Sequence, residues 1–293
     1  MYDSPMRRRD FLPALATAGV AAAQTPPTSQ ASPKGRLKQA CFRRNFDSKM
    51  PFDEMCRQAA RIGIQGFSGA SPQEWPTLKK YGLTPSMSVG GGITIDNGII
   101  RKEAHDEQVK SLGEFIDRCV AAGGSDILIT GGRRHGMPYN EGADNAVTFL
   151  NRVKNRAEDK GINLCLEVMN DKFKDPAIGR DDQISNHVSW AADVCRRVNS
   201  PRVKILFDIY HVQIMDGNIV ANIREYFPLI GEFHTAGVPG RHEIDDAQEL
   251  NYRFIASVIA DLGFTGFVCH EYDPTPGRDP IRSLERTFAL MAV

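Results

Sequence analysis

The chain has 293 residues, 41% of them apolar and 25% charged, with 36 basic residues against 36 acidic ones. Such a length buries a sizeable core in one large domain or two small ones, and the charge balance excludes the basic excess that nucleic acid or an anionic membrane surface calls for. The six cysteines, at 41, 56, 119, 165, 195 and 269, make no C-x-x-C pair and lie in apolar segments, the pattern of buried free thiols.

The N-terminus reads "MRRRDFLPALATAGVAAAQ". A basic patch, an apolar run and small residues at Ala21 and Ala23 mark residues 1–23 as a signal peptide. Arg8, Arg9, Phe11 and Leu12 fit the RRxFL core of twin-arginine signals, which export folded proteins, so a periplasmic location is expected. A Pro/Ser-rich linker follows at 24–36. Beyond it no stretch approaches the roughly 18 uninterrupted apolar residues of a membrane span, and none is expected in the mature chain.

From residue 37 to 293 strand-like and helix-like segments alternate. A strand at 37–43 precedes a helix at 52–62, where Phe52, Met55, Cys56, Ala59 and Ala60 recur at one-face spacing and Gly63 offers a left-handed cap. Strands at 64–69, 84–89 and 126–131 follow, each leading to a helix, at 73–81, 103–122 and 141–160. The fifth strand, 163–169, leads to a helix at 183–198, and the sixth, 203–209, to one at 219–229. The seventh, 230–235, leads to a helix at 248–262 with Leu250, Phe254, Val258 and Leu262 as its apolar stripe. The eighth, 265–271, leads to a helix at 279–292 opened by Asp279 as N-cap and Pro280 at its first position. Eight such units over about 255 residues predict a single (β/α)8 TIM barrel of the α/β class. A doubly wound sheet is disfavoured because the first strand runs into "RRNFDSKMPF", with no glycine-rich turn.

In such barrels reactive groups gather at the C-terminal ends of the strands. The last four strands end with Glu167, Asp208, His234 and Glu271. Alternation puts Glu167 on one face with Cys165 and Glu271 with Cys269 and Phe267, leaving Leu164 and Leu166 for the helices. Three carboxylates around one mouth repel each other unless a cation sits among them. The oxygen-rich set with one imidazole favours Mn²⁺ or Mg²⁺, with Co²⁺ and Zn²⁺ also within its range. His211 and Asn170 lie three residues after Asp208 and Glu167, within reach of a substrate, though Asn170 also suits a supporting amide or a turn. Arg241, across a Gly-Val-Pro-Gly turn from His234, presents a fork suited to a carboxylate or vicinal oxygens. For His242 and Glu243 a place at the site and a surface ion cluster are equally open. Glu232 shares the face of His234 one layer deeper, and no role for it follows from the sequence.

The segments "LCLEVMN", "LFDIYHVQIMDGN", "IGEFHTAGVPGRHEI…ELNY" and "GFVCHEYDP" occur in that order. From about residue 37 to 275 the chain resembles the hydroxypyruvate isomerase branch of the xylose isomerase-like sugar isomerase/epimerase superfamily. The resemblance implies one divalent metal held by Glu167, Asp208, His234 and Glu271. It also implies that the two glutamates exchange a proton at adjacent carbons of a small hydroxy-keto acid or carbohydrate. Position 234 is His where that branch tends to Gln, a choice similar to the ketose 3-epimerases, and His270 precedes the final Glu. The export signal is a further departure. Isomerisation, epimerisation and keto-sugar dehydration or lysis stay open as reactions, an exported non-catalytic sugar-binding barrel is the remaining alternative, and so is the question of a homo-oligomer.

Overall fold

The computed structural model describes residues 35–172 and 182–293. The signal at 1–23 and the linker up to residue 34 lie outside the described residues. Within them the elements run β1 (Lys38–Phe42), α1 (Phe52–Ile62), β2 (Gly66–Ser68), α2 (Trp75–Lys80), β3 (Thr84–Pro85), β4 (Met87–Ser88), α3 (His105–Ala121), β5 (Asp126–Ile129) and α4 (Tyr139–Lys160). The second half continues β6 (Asn163–Glu167), α5 (Val188–Val198), β7 (Val203–Asp208), α6 (Ile209–Met215), α7 (Ile219–Tyr226), β8 (Ile230–Thr235), α8 (Tyr252–Asp261), β9 (Phe267–His270) and α9 (Pro280–Met291).

The nine strands form one sheet in the order β3-β2-β1-β9-β8-β7-β6-β5-β4. Every pairing is parallel. β3 and β4 are halves of the single run 84–88: Thr84 and Pro85 pair with β2, and Met87 and Ser88 pair with β5. The sheet thus closes through that run, which breaks beside Pro85, a residue with no N–H to give a ladder. Eight strand positions result, and the predicted TIM barrel is what the chain forms.

Helix α1 spans the predicted residues and buries Met55, Cys56, Ala59 and Ile62, while Gly63 at φ 105° returns its N–H to Ala59 and Ala60. Asp279 accepts hydrogen bonds from the backbone of Ile281 and Arg282, with Pro280 at the first position of α9. Two helices, α5 and α8, start a full turn or more later than their periodicity suggests. α5 begins at Val188 because Gln183 is drawn into a bridge with Arg133. α8 begins at Tyr252 because Asn251 caps it, accepting from Phe254 N at 3.1 Å. The buried face of α8 is Tyr252, Ile255, Ala256, Val258 and Ile259, and Phe254 is 53% exposed, which corrects the apolar stripe expected from Leu250 and Phe254. All six cysteines are free and buried. Among the described residues no helix is long and apolar enough to cross a membrane.

Side chains divide cleanly by parity along the strands. Leu164, Leu166, Ile205, Phe207, Phe233 and Val268 join the large core under the helices. Cys165, Leu206 and Met87 form one small cluster inside the barrel and Ala40, Phe267 and Cys269 another. β8 reaches this parity through a bulge. Ile205 pairs with Ile230 but Leu206 pairs with Glu232, so Gly231 is the extra residue. The slip turns Glu232 and His234 inward, whereas an unbroken alternation from Ile230, which packs in the outer core, would aim them at the helices. A Cβ at Gly231 would stand 2.7 Å from Cys165 Sγ and 2.9 Å from Lys204 Cβ. Gly231→Ala is therefore expected to destabilise the fold by about 1–3 kcal/mol, read from urea unfolding; no loss would remove the bulge from this account of how His234 is aimed.

Candidate active site

The inward-facing residues stack in two layers toward the C-terminal mouth. The deeper layer is Cys165, Leu206, Glu232 and Cys269; two residues on stand Glu167, Asp208, His234 and Glu271. Asp208 and His234 are direct register partners, and His234 in turn faces Cys269. All four upper residues are buried, and one ligand atom from each lies within 4.8 Å of every other. The strand ends predicted to converge do converge.

Strand geometry alone does not hold them. Asp208 ends β7 and caps α6, its carboxylate accepting from Tyr210 N at 2.9 Å and His211 N at 3.4 Å. Helix α6 was not foreseen as a helix at all. Asn170 and His211 are buried together, Asn170 Nδ2 standing 2.6 Å from His211 Nδ1, while His211 Nε2 points at Asp208 Oδ2 from 3.4 Å. Both residues thus back Asp208.

His234 is gripped on two edges. Its Nδ1 lies 2.8 Å from Glu271 Oε2 and its Nε2 lies 3.3 Å from Glu232 Oε1, with Phe42 edge-on to the ring at 6.4 Å. Burial alone disfavours a charged imidazole, but the hydrogen bonds to the two glutamates outweigh it and raise His234 well above its usual range. Burial likewise pushes the Glu232 carboxyl up to about 7, against the pull of His234.

Arg241 completes the cluster. It follows the turn containing the cis Val238–Pro239 bond, itself adopts a positive φ of 58°, and is buried with its Nη2 3.0 Å from Glu271 Oε1 and 3.5 Å from Asp208 Oδ2. Burial opposes its charge, yet Glu271, Asp208 and Glu167 more than offset this and hold the guanidinium firmly protonated. Tyr210 carries it on its ring face, 5.4 Å from the centroid. His242 and Glu243 separate from the site: His242 Nδ1 is 2.8 Å from the Asp273 carbonyl, and buried Glu243 accepts from Thr275 N at 3.1 Å and Ser283 Oγ at 2.8 Å. Glu243 ties the Arg241 loop to the start of α9, a structural anchor where a surface cluster was one of the two readings.

One contributor was not foreseen. Arg44, just past the end of β1, donates to both oxygens of Asp273 at 2.9 and 3.0 Å and reaches Glu271 Oε1 at 3.3 Å. The signal was present in "RRNF" at a strand end, the place where barrel chemistry collects.

A cavity of about 770 Å³ opens above the cluster, with Glu167, His234 and Glu271 in its floor. Its walls are mainly apolar, from Phe42, Phe46, Met87, Ile93, Leu128 and Met169, with Arg44 and Asp273 on one side.

The donor set fits a divalent cation. Glu167, Asp208 and Glu271 bring three carboxylates; Arg241 and the protonated His234 offset two of those charges, Arg44 is bonded chiefly to Asp273, and a cation held at His234 would take the place of the ring's second proton. A hard, oxygen-rich group with one imidazole is a donor set of the kind that binds divalent cations.

Residues 50–289 match the family described as "Xylose isomerase-like TIM barrel". A mouse and a zebrafish protein, both named "Putative hydroxypyruvate isomerase", are 33% identical over 245 residues and 39% identical over 130 residues respectively. The mouse alignment covers 76% of this chain and 86% of the relative; the zebrafish alignment covers 43% and 45%, so there the chain spans less than half of the relative's length. Among solved structures, an AP endonuclease family 2 protein from Brucella melitensis superposes with a TM-score of 0.73 at 23% identity, covering 85% of this chain and 96% of the other. The 3-keto-D-glucoside 4-epimerase YcjR from E. coli superposes at 0.71 with 17% identity, covering 87% and 98%. At those identities the structures speak for the fold, and the sequence match over most of the barrel speaks for descent: the chain belongs to the xylose isomerase-like TIM-barrel family.

Proposed function

We propose that this isomerase-family barrel is a metal-dependent isomerase or epimerase that moves a proton next to a carbonyl, with Glu167 and Glu271 as the proton carriers. The observation that carries the reading is the convergence of Glu167, Asp208, His234 and Glu271, one ligand atom of each within 4.8 Å of the others, in a buried floor below a substrate-sized cavity. When bound there, a divalent cation supplies Lewis-acid stabilisation of the negative charge that builds on neighbouring substrate oxygens. The protein's own groups do the rest. Glu167 and Glu271 come from strand positions separated by β7 and β8, so a substrate lying between them presents one carbon to each. One carboxylate takes a proton from carbon and the other returns one, giving transfer between adjacent carbons or inversion at one. Arg241 and Arg44 orient substrate oxygens beside Glu271, and the apolar walls exclude water from the carbanionic stage.

The size of the cavity bears on the substrate. Ligand pockets of about 300–1,000 Å³ hold drug-sized molecules, and about 770 Å³ with apolar walls exceeds what a three-carbon keto acid fills. The cavity has room for a carbohydrate, free or carrying an aglycone, as well as for hydroxypyruvate. The twin-arginine-type segment at 1–23 supports export of the folded barrel to the periplasm.

Metal-loaded protein incubated with hydroxypyruvate, free ketoses and keto-glycosides, followed by mass spectrometry, tests the reaction class. A product of unchanged mass is expected. Loss of water or of an aglycone would make the chain a keto-sugar dehydratase or lyase, and no conversion of any compound would favour a binding barrel.

A further inference from the structure

Glu232 is fully buried, lies one layer below the cluster, and takes no part in the proton transfer proposed above. Its Oε1 faces His234 Nε2 at 3.3 Å and Ser68 Oγ at 3.5 Å, and among the described residues its Oε2 has no hydrogen-bond partner. Ser68 itself is engaged with Ser86 at 2.8 Å. A buried carboxylate satisfied on one side only is costly to keep. Its one short polar contact to a ring is with the imidazole of the cluster, on the edge opposite the one that meets Glu271.

That arrangement has a definite consequence for the imidazole. A neutral histidine carries one N–H and one lone pair, and the acceptor on one edge decides which nitrogen keeps the proton. An acceptor behind Nε2 leaves the lone pair on Nδ1, the edge that points into the cluster, and a carboxylate there also makes the ring a stronger donor. We propose that Glu232 is a positioning residue for His234: it accepts the Nε2 proton, fixes the ring's orientation and presents Nδ1 to the cation. The bulge at Gly231 is the backbone device that turns both side chains inward together. The proposal rests on the metal reading given above.

Three proteins, the wild type, Glu232→Gln and Glu232→Leu, titrated with Mn²⁺ by calorimetry after chelator treatment, test it, with circular dichroism as the check on folding. The wild type is expected to bind one Mn²⁺ per chain. Glu232→Leu, with no acceptor, should bind about 10–100-fold more weakly, and Glu232→Gln, which keeps an amide oxygen for the Nε2 proton, should recover part of that loss. Affinity within twofold of wild type in Glu232→Leu overturns the positioning role; if that variant fails to fold, the same result in Glu232→Gln does so. Two equivalents of Mn²⁺ in the wild type, with only one lost on substitution, would instead make Glu232, His234 and Cys269 a cation site of their own and equally overturn it. A wild type that binds no Mn²⁺ removes the metal reading itself, a result separate from any difference among the variants.

Discussion

Glu167→Gln and Glu271→Gln are each expected to reduce solvent deuterium uptake into substrate by about 10³-fold, within the range for loss of a positioned acid or base. Glutamine keeps the shape and one oxygen, so the buried floor stays filled, but it cannot take a proton from carbon. The two residues sit on β6 and immediately after β9, on opposite sides of the β7 and β8 strand ends that bring Asp208 and His234. If they act as a pair, each single substitution should stop exchange almost as completely as both together. Deuterium content by mass spectrometry, with metal content measured on the same samples, separates loss of the base from loss of the cation. Either variant exchanging at the wild-type rate would withdraw that glutamate from the mechanism.

Asp208→Asn should weaken Mn²⁺ binding by about 100-fold or more, beyond the 10–100-fold typical of residues that merely support a ligand. The substitution is informative because Asp208 has two duties. It caps α6 through Tyr210 N and His211 N, a duty asparagine performs as well as aspartate. It also faces His234 across the β7–β8 ladder and receives His211 from behind. Retained thermal stability of the metal-free variant with lost affinity, by calorimetry, assigns the residue to the cation. Unchanged affinity would reduce Asp208 to a cap.

How far the sequence could be read depended on whether a feature was local. The strand ends at Glu167, Asp208, His234 and Glu271 were legible because the barrel rule needs only a strand and its direction, and parity adds the inward face for Glu167 and Glu271. Helix α1 was legible because its apolar spacing and Gly63 agree. What escaped depends on neighbours distant in the chain. The bulge at Gly231 exists only against β7, so the inward turn of Glu232 had no visible cause in "IGEFHT". Helix α6 was masked because its cap, Asp208, reads first as a site residue and only seven residues follow. Arg44 acquires meaning when β1 closes against β9 and brings it to Asp273 and Glu271. Phe254 carried the right spacing for a core stripe, but the helix rotates about its Asn251 cap to bury Tyr252 and Ile255 instead.

The proposed reaction is proton exchange at carbon that requires a cation held by Glu167, Asp208, His234 and Glu271. The direct measurement is deuterium incorporation from D₂O into the converted substrate by wild-type protein, first stripped with chelator and then reloaded with Mn²⁺. The account predicts no incorporation after stripping and full recovery at one Mn²⁺ per chain. Incorporation that survives complete removal of metal, or conversion of substrate with no solvent deuterium at carbon, would contradict it.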